Sequence, residues 1–336
     1  MTGVDMPGVD MPGDDTIGGA LVLGGAGFIG GHLLADLASR GVRPLISVDI
    51  ADPERPVAGV DYRHGDVRRP FAEVVPESVE RIYNLAAIHR TPGHPDHAYY
   101  ETNVAGAVNA CRYATLRGVP RILFTSSISV YGPREEPCGE SAPLRPESAY
   151  GRSKALAEAV QEAWVEADPG RRRLAILRPA VVFGRGERGN FDRLLRQLRR
   201  RAFVFPGRRD TVKGCGYVGE LVRAMAFCGT RDEPVYRANF AYPEPATIEA
   251  IARTVALEAG LSPPRLTIPT GAVMTAAFVL ELLGGLGLRT GINRDRVRKL
   301  LVSTDARPDR LLADGYRFET DLAAGVRAWL DSLRTG

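Results

Sequence analysis

Tyr150 and Lys154 stand four residues apart in "SAYGRSK". Positions i and i+4 share a helix face, so this spacing sets a phenol beside an ammonium. A free phenol, with a pKa of about 10, is a poor base near neutrality. A neighbouring cation favours the phenolate, and a tyrosine so placed can take a proton from an alcohol and return it. The motif is common by chance, and a surface pair would read the same way. Its surroundings in the chain decide.

Twenty-three residues before Tyr150, Ser127 closes the apolar run "RILFTSS". Hydroxyls at a strand end usually cap or turn the chain. Here they accompany a strand-helix alternation that would bring them to the tyrosine. "GALVLGG" leads into "IGGHLLADLASRG", and "PLISVDI" and "RIYNLAA" follow. A helix from about Tyr99 to Arg117 precedes "RILFTSS", the helix that carries Tyr150, and "RLAILRPAVVFG". Near-continuous apolar strands alternating with helices predict an α/β fold, a doubly wound parallel sheet covered on both faces. After Gly184 the chain becomes rich in Gly and Arg, "VYRANFA" reads as a strand returning to the sheet, and Pro263-Pro264 marks a linker. The expected organisation is a disordered tail at 1–17, a nucleotide-binding domain at 18–185 with elements around 215–242 returning to it, and a smaller mixed lobe at 186–336. That lobe would sit over the strands' carboxyl ends, where open α/β sheets bind ligands.

"LVLGGAGFIGG" places Gly24, Gly27 and Gly30 in a G-x-x-G-x-x-G turn between an apolar strand and a helix. Such a turn lets backbone approach a pyrophosphate, and the free N–H groups of the helix start, around Phe28 and Ile29, point at it. Asp49 ends the next strand, nineteen residues beyond Gly30. A carboxylate there suits the ribose hydroxyls of NAD and repels the 2′-phosphate of NADP, although a helix cap is the plainer use of an aspartate.

Composition sets limits. A 44% hydrophobic, 25% charged chain of 336 residues with net charge +4 is ordinary for a water-soluble protein. No basic stripe interleaved with aromatics argues for nucleic acid. Cys111, Cys138, Cys215 and Cys228 have no pairing pattern, which suits a reducing, cytoplasmic setting. The stretch 270–288 is apolar enough to suggest a membrane span, but Glu281 and Gly284, Gly285 and Gly287 interrupt it. It reads as a buried helix, with peripheral membrane contact left open. His89, His94 and His97 lie in "IHRTPGHPDH", an irregular loop with no accompanying cysteine or carboxylate cluster, so no metal site is expected.

With these motifs in this order, the chain resembles the extended short-chain dehydrogenase/reductases, and within them the NAD-dependent epimerase/dehydratase family acting on nucleotide sugars. The resemblance runs from about Ala20 to Leu333, through "GGAGFIG", "VDI", "GDV", "NLAA", "TNVAGAVN", "SSISVYG", "YGRSK" and "LRPAVVFG". It implies a Rossmann-like fold, bound NAD, and a homodimer formed by the helices around Asn103 and Tyr150. It makes Tyr150 the acid/base, Lys154 its partner and the anchor of the nicotinamide ribose, and Ser127 the hydrogen-bonding partner of the reacting hydroxyl. Gly24, Gly27, Phe28, Ile29, Gly30, Asp49, Asp66, Val67, Leu85, Ala86, Ala87, Asn103 and Pro179 would hold the cofactor. His89, Ser129, Asn190 and Lys213 would meet the substrate, with Asn190 and Lys213 on its diphosphate. Family members often carry an arginine where Lys213 stands, which keeps the charge and loses the bidentate geometry.

The resemblance also narrows the chemistry. Family dehydratases carry an Asp-Glu pair after the serine, and decarboxylases keep a glutamate nearby; here Ile128 and Ser129 follow. Hydride chemistry without elimination remains. An NAD-dependent epimerase inverting a sugar carbon, usually C4, is the leading reading. A dehydrogenase or ketoreductase, and a non-catalytic NAD-binding regulator, are the alternatives. Arg178 is followed by Pro179-Ala180-Val181 where UDP-galactose epimerases have Tyr-Phe-Asn, so the hexose contact of that asparagine is missing. The arginines Arg193, Arg196, Arg199, Arg200 and Arg201 read as a solvated helix face, with a phosphate or oligomer contact as the alternative.

Overall fold

The computed structural model describes residues 18–89, 93–275 and 301–334. The expected tail at 1–17 and the part of the apolar stretch beyond Thr275 lie outside the described residues. The strands are β1 (Ala20–Leu23), β2 (Leu45–Asp49), β3 (Asp61–His64), β4 (Arg81–Asn84), β5 (Arg121–Thr125), β6 (Arg134–Cys138), β7 (Arg173–Pro179), β8 (Val181–Phe183), β9 (Phe205–Pro206), β10 (Cys215–Tyr217), β11 (Val235–Phe240), β12 (Thr267–Ile268) and β13 (Thr304–Ala306). The helices used below are α1 (Phe28–Ser39), α2 (Asp96–Arg117), α3 (Ala149–Glu166), α4 (Asn190–Arg199), α5 (Val218–Gly229), α6 (Ile248–Glu258), α7 (Asp309–Ala313) and α8 (Leu322–Arg334).

Seven strands form one sheet in the order β11-β7-β5-β4-β1-β2-β3, and every neighbouring pair is parallel. The strand order reverses between β1 and β4, which opens a crevice at their carboxyl ends. Alternation along each strand explains the near-continuous apolar runs. Leu21, Leu23, Ile82, Ile122 and Phe124 pack toward α2 and α3, while Ala20, Val22, Tyr83 and Leu123 pack toward α1 and α5. Each fully buried side chain of this size contributes about 1.5–3 kcal/mol. β11 completes the edge by pairing with β7, where a returning strand is expected.

A separate apolar cluster joins Phe183, Phe191, Leu195, Ile251, Val255, Trp329 and Leu330 from β8, α4, α6 and α8. Phe183 stacks on Phe191 at 4.2 Å between ring centroids. This cluster fixes the start of α4, where Asn190 sits. Among the described residues, no helix is long and apolar enough to cross a membrane. One boundary differs from expectation: α2 begins at Asp96, which places His97 in its first turn instead of a loop. Pro95 takes the N-cap position and Asp96 faces the positive helix end, so the helix starts where its dipole is best matched.

Candidate active site

The Gly-rich turn is a cradle that side chains would fill. Gly24 has φ +86°, and a Cβ there would lie 2.7 Å from the Ala86 nitrogen. At Gly30 a Cβ would meet the Gly24 oxygen at 2.3 Å. α1 therefore starts tightly against β1, with Gly27 at its N-cap and no side chain capping it. Among the described residues no side chain caps this helix start, and an uncapped helix N-terminus is an arrangement that suits a diphosphate. Phe28 packs near Gly184 and Gly186, and His32 on the same helix hydrogen-bonds the Arg185 carbonyl at 2.9 Å. The loop leading to α4 is thus held against the turn.

Asp49 ends β2 beside that turn. One of its carboxylate oxygens accepts the N–H of Ala26 at 3.0 Å and the other that of Ala51 at 3.1 Å. Asp49 thus ties the Gly-rich turn to the end of β2, and the next element among the described residues is β3, with no helix for it to cap. Asp66 is gripped by Arg68, which holds its carboxyl below the usual range. Val67 lies buried against Gly106 of α2, and Asn109 donates to its carbonyl at 2.8 Å. Leu85, Ala86 and Ala87 follow β4 at the crevice, and Pro179 ends β7. The residues present fit a dinucleotide.

The catalytic wall is built where β5 ends against α3. Ser148 caps α3 by accepting the Gly151 N–H at 3.0 Å, which fixes the register of the tyrosine and lysine that follow. Tyr150 is half-buried, lies beside Ser127, and its ring centre is 6.3 Å from that of Tyr99 on α2. Ser127 caps a 3-10 turn (Ile128–Tyr131) by accepting the Ser129 N–H at 3.1 Å, and its hydroxyl also reaches that of Ser129. Asn103 braces the wall from α2: it accepts the Ile88 N–H at 3.0 Å and donates to the Ser153 hydroxyl at 2.8 Å. His89 follows Ile88 and is exposed.

Lys154 departs from the electrostatic expectation. Its ammonium donates to the Thr125 carbonyl at 2.8 Å and lies 4.6 Å from the centre of the Phe124 ring. Burial lowers its pKa to about 7, opposed by the charge of Glu158. The phenol is correspondingly not acidified. Burial pushes Tyr150 up to about 12, relieved in part by Ser127. Desolvation wins because the lysine faces the β5 carbonyl rather than the phenol oxygen.

The sequence reading missed two residues of this wall. Glu158 and Arg178 form a buried ion pair, with Arg178 bonding both carboxylate oxygens at 2.9 and 2.6 Å. Ser126 donates to the same carboxylate. The signal was present as a third step in the series Tyr150, Lys154, Glu158, one helix face spaced by four.

The residues expected to meet the substrate diphosphate lie apart. Asn190 opens α4, is exposed, and accepts from Arg193 at 3.0 Å. Lys213 is half-buried, donates to the Val302 carbonyl at 2.5 Å, and has its pKa lowered to about 8 by burial. No contact links either to Tyr150 among the described residues. Arg193, Arg196, Arg199, Arg200 and Arg201 are exposed, as a solvated face requires. Among the described residues no group of three or more His, Cys, Asp or Glu side chains could hold a metal ion.

Comparison with known proteins adds the decisive observation. The model of the NAD dependent epimerase/dehydratase family matches residues 20–238. The chain belongs to that family. It is an NAD-dependent enzyme. Over 311 residues it is 27% identical to the N-acetyl-α-D-glucosaminyl-diphospho-ditrans,octacis-undecaprenol 4-epimerase of Escherichia coli O157:H7, covering 91% of this chain and 92% of that one. It is 33% identical over 166 residues to a UDP-glucose 4-epimerase of Neisseria meningitidis serogroup A, a match spanning 44% of this chain and 49% of that protein. The UDP-glucose 4-epimerase of Thermus thermophilus, solved with NAD, superposes with a TM-score of 0.72 at 23% identity, covering 94% of this chain and 98% of that one.

Proposed function

We propose that the protein is a 4-epimerase of a sugar carried on a diphosphate. The observation that carries this is the placement of Tyr150 beside Ser127 at the carboxyl end of β5, with Lys154 one helical turn on and only Ile128 and Ser129 following the serine. In this reading Ser127 holds the C4 oxygen and Tyr150 takes its proton as the C4–H bond breaks. Bound NAD supplies the hydride acceptor and donor and adds a positive ring charge near the phenol. Ile128 and Ser129 offer no acid or base for eliminating water, so the keto-sugar persists until hydride returns to its other face. Tyr150 then gives the proton back to the oxygen. Asn190 and Lys213 are assigned to the diphosphate; their local partners, Arg193 and the Val302 carbonyl, are exchanged for phosphate oxygens on binding.

The carrier is a nucleotide in the primary reading. A polyprenyl diphosphate is the second, favoured by the Escherichia coli relative, which covers nine-tenths of this chain and acts on such a lipid. Leu266 and Ile268 add apolar surface on the second lobe, with 70% and 40% exposure. Purified protein incubated without added cofactor with UDP-, GDP-, CDP- and dTDP-hexoses, UDP-N-acetylhexosamines and polyprenyl-diphospho-N-acetylglucosamine is expected to interconvert one C4 pair. Turnover only with added NADPH would replace the epimerase by a reductase. The four free, buried cysteines support a cytoplasmic site of action. Val108 and Leu116 on α2 and Leu156 on α3, all exposed, support a homodimer formed by these helices. Sedimentation at micromolar concentration showing only monomer would remove that assignment.

A further inference from the structure

Thr125, Ser126 and Ser127 are consecutive, and each engages a different residue on one face of α3. The Thr125 carbonyl accepts from Lys154 at 2.8 Å, the Ser126 hydroxyl donates to Glu158, and Ser127 lies beside Tyr150. The middle rung is the anchored one. Glu158 is 2% exposed and Arg178, on β7, is 3% exposed. Arg178 also donates to the Tyr131 hydroxyl at 2.8 Å; Tyr131 donates to Asn239 of β11 at 2.7 Å, and Asn239 donates to the Arg307 carbonyl at 2.9 Å. The chain of bonds runs from the catalytic helix across two strands to the segment before α7.

We propose that Glu158, clasped by Arg178, is a positioning residue for the reaction: it fixes Ser126, and through it both the carbonyl gripped by Lys154 and the hydroxyl beside Tyr150, while its negative charge faces the Lys154 ammonium. A buried ion pair is weak evidence for stability, since well-packed apolar residues often serve as well. Its placement is more informative. Three hydrogen bonds converge on one carboxylate directly behind the catalytic trio, two from Arg178 and one from Ser126. The charged or titratable groups around Lys154 are Tyr150 and Glu158 on α3, with Arg178 on β7, Tyr131 in the 3-10 turn and Glu140 after β6 behind them. α2 contributes Tyr99 and the neutral Asn103.

The direction of the electrostatic effect follows. Glu158 opposes the burial that lowers the Lys154 pKa to about 7. Glu158→Gln removes that charge and leaves the Arg178 cation unbalanced, so Lys154 loses its proton at still lower pH. The inference rests on the epimerase reading only for its kinetic arm; the titration of Lys154 is independent of any substrate.

The chain has three lysines, Lys154, Lys213 and Lys299. Protein labelled with ¹³C-lysine therefore gives three ε-carbon signals, and the Lys154 signal is assigned with Lys154→Met. In Glu158→Gln the Lys154 titration is expected about one pH unit below that of the wild type, the size of effect one nearby charge exerts. Glu158→Asp keeps the charge and is expected to titrate within a few tenths of a unit of the wild type. Glu158→Gln/Arg178→Met, which removes the carboxylate and its guanidinium together, is expected to fall between and remains measurable if the single variant does not fold. The alkaline limb of kcat should move with the titration, kcat should fall on the order of tenfold or more, and KM should change little. A Lys154 titration unmoved in both Gln variants, with only the melting temperature lowered, would overturn the proposal and leave the pair a structural one.

Discussion

The catalytic wall and the substrate lobe are built in opposite ways. In the wall, Lys154, Glu158 and Arg178 are almost wholly buried, Asn103 is bonded to Ser153 of α3, Ser127 to Ser129 of the 3-10 turn, and Tyr150 lies between Ser127 and Tyr99 of α2. In the lobe, Asn190 is exposed and bonded to its own helix, and Lys213 is satisfied by a backbone carbonyl. Chemistry that must act at one carbon is preorganised, which lets aligned groups do their work without reorganising. In the proposed reading, recognition of a flexible diphosphate would use groups that can exchange partners. The basic residues follow the same division. Of 44 Lys and Arg, three are Lys, and the two within the described residues occupy these two sites. An ammonium in a buried site can lose its proton, and a guanidinium does not.

Substitutions can break or sharpen that contrast. Tyr150→Phe should have the largest effect, lowering kcat by roughly 10²–10⁴-fold while NAD content and melting temperature are unchanged. Near-wild-type turnover of the Phe variant would remove the wall from the chemistry.

Lys154→Met is next, and it carries a stability sign. Its folded pKa, about 7, lies below the ordinary lysine value of 10.5, so between those pH values the unfolded chain binds more protons. Stability from this group therefore rises with pH across that window, and the burial cost is greatest at and below pH 7. Lys154→Met should lower kcat by about 10²-fold and raise the melting temperature by more at pH 7 than at pH 10. An equal change at both pH values would mean that the lysine is not desolvated in the folded protein.

Lys213→Met should raise KM by roughly tenfold, with kcat within about threefold, in steady-state kinetics. Asn190→Ala should do the same by a smaller factor. A kcat loss that exceeds the KM change at Lys213 would erase the division between wall and lobe.

How much of this could be read from residues alone depended on distance along the chain. The doubly wound sheet was legible because strands buried on both faces leave apolar runs such as "RLAIL", and the cofactor turn because three glycines sit between strand and helix. Tyr150, Lys154 and Ser127 were legible through one helix period and one strand end. The direction of the Lys154 side chain was not: spacing puts it on the same face as Tyr150, but only packing against Phe124 and the Thr125 carbonyl turns it away from the phenol. Glu158 was within reach as the next i+4 step. Its partner Arg178 was not, because nothing in a sequence says which β7 residue meets α3 across the sheet.

The central claim concerns a phenol held next to Ser127 in a desolvated wall, and its ionisation can be watched directly. The ultraviolet difference between wild type and Tyr150→Phe, followed against pH, isolates the Tyr150 phenolate. The account predicts that it appears near pH 12 in the protein alone, as burial dictates, and about two pH units lower with NAD⁺ bound. A phenolate that forms near pH 10 in both cases would contradict it.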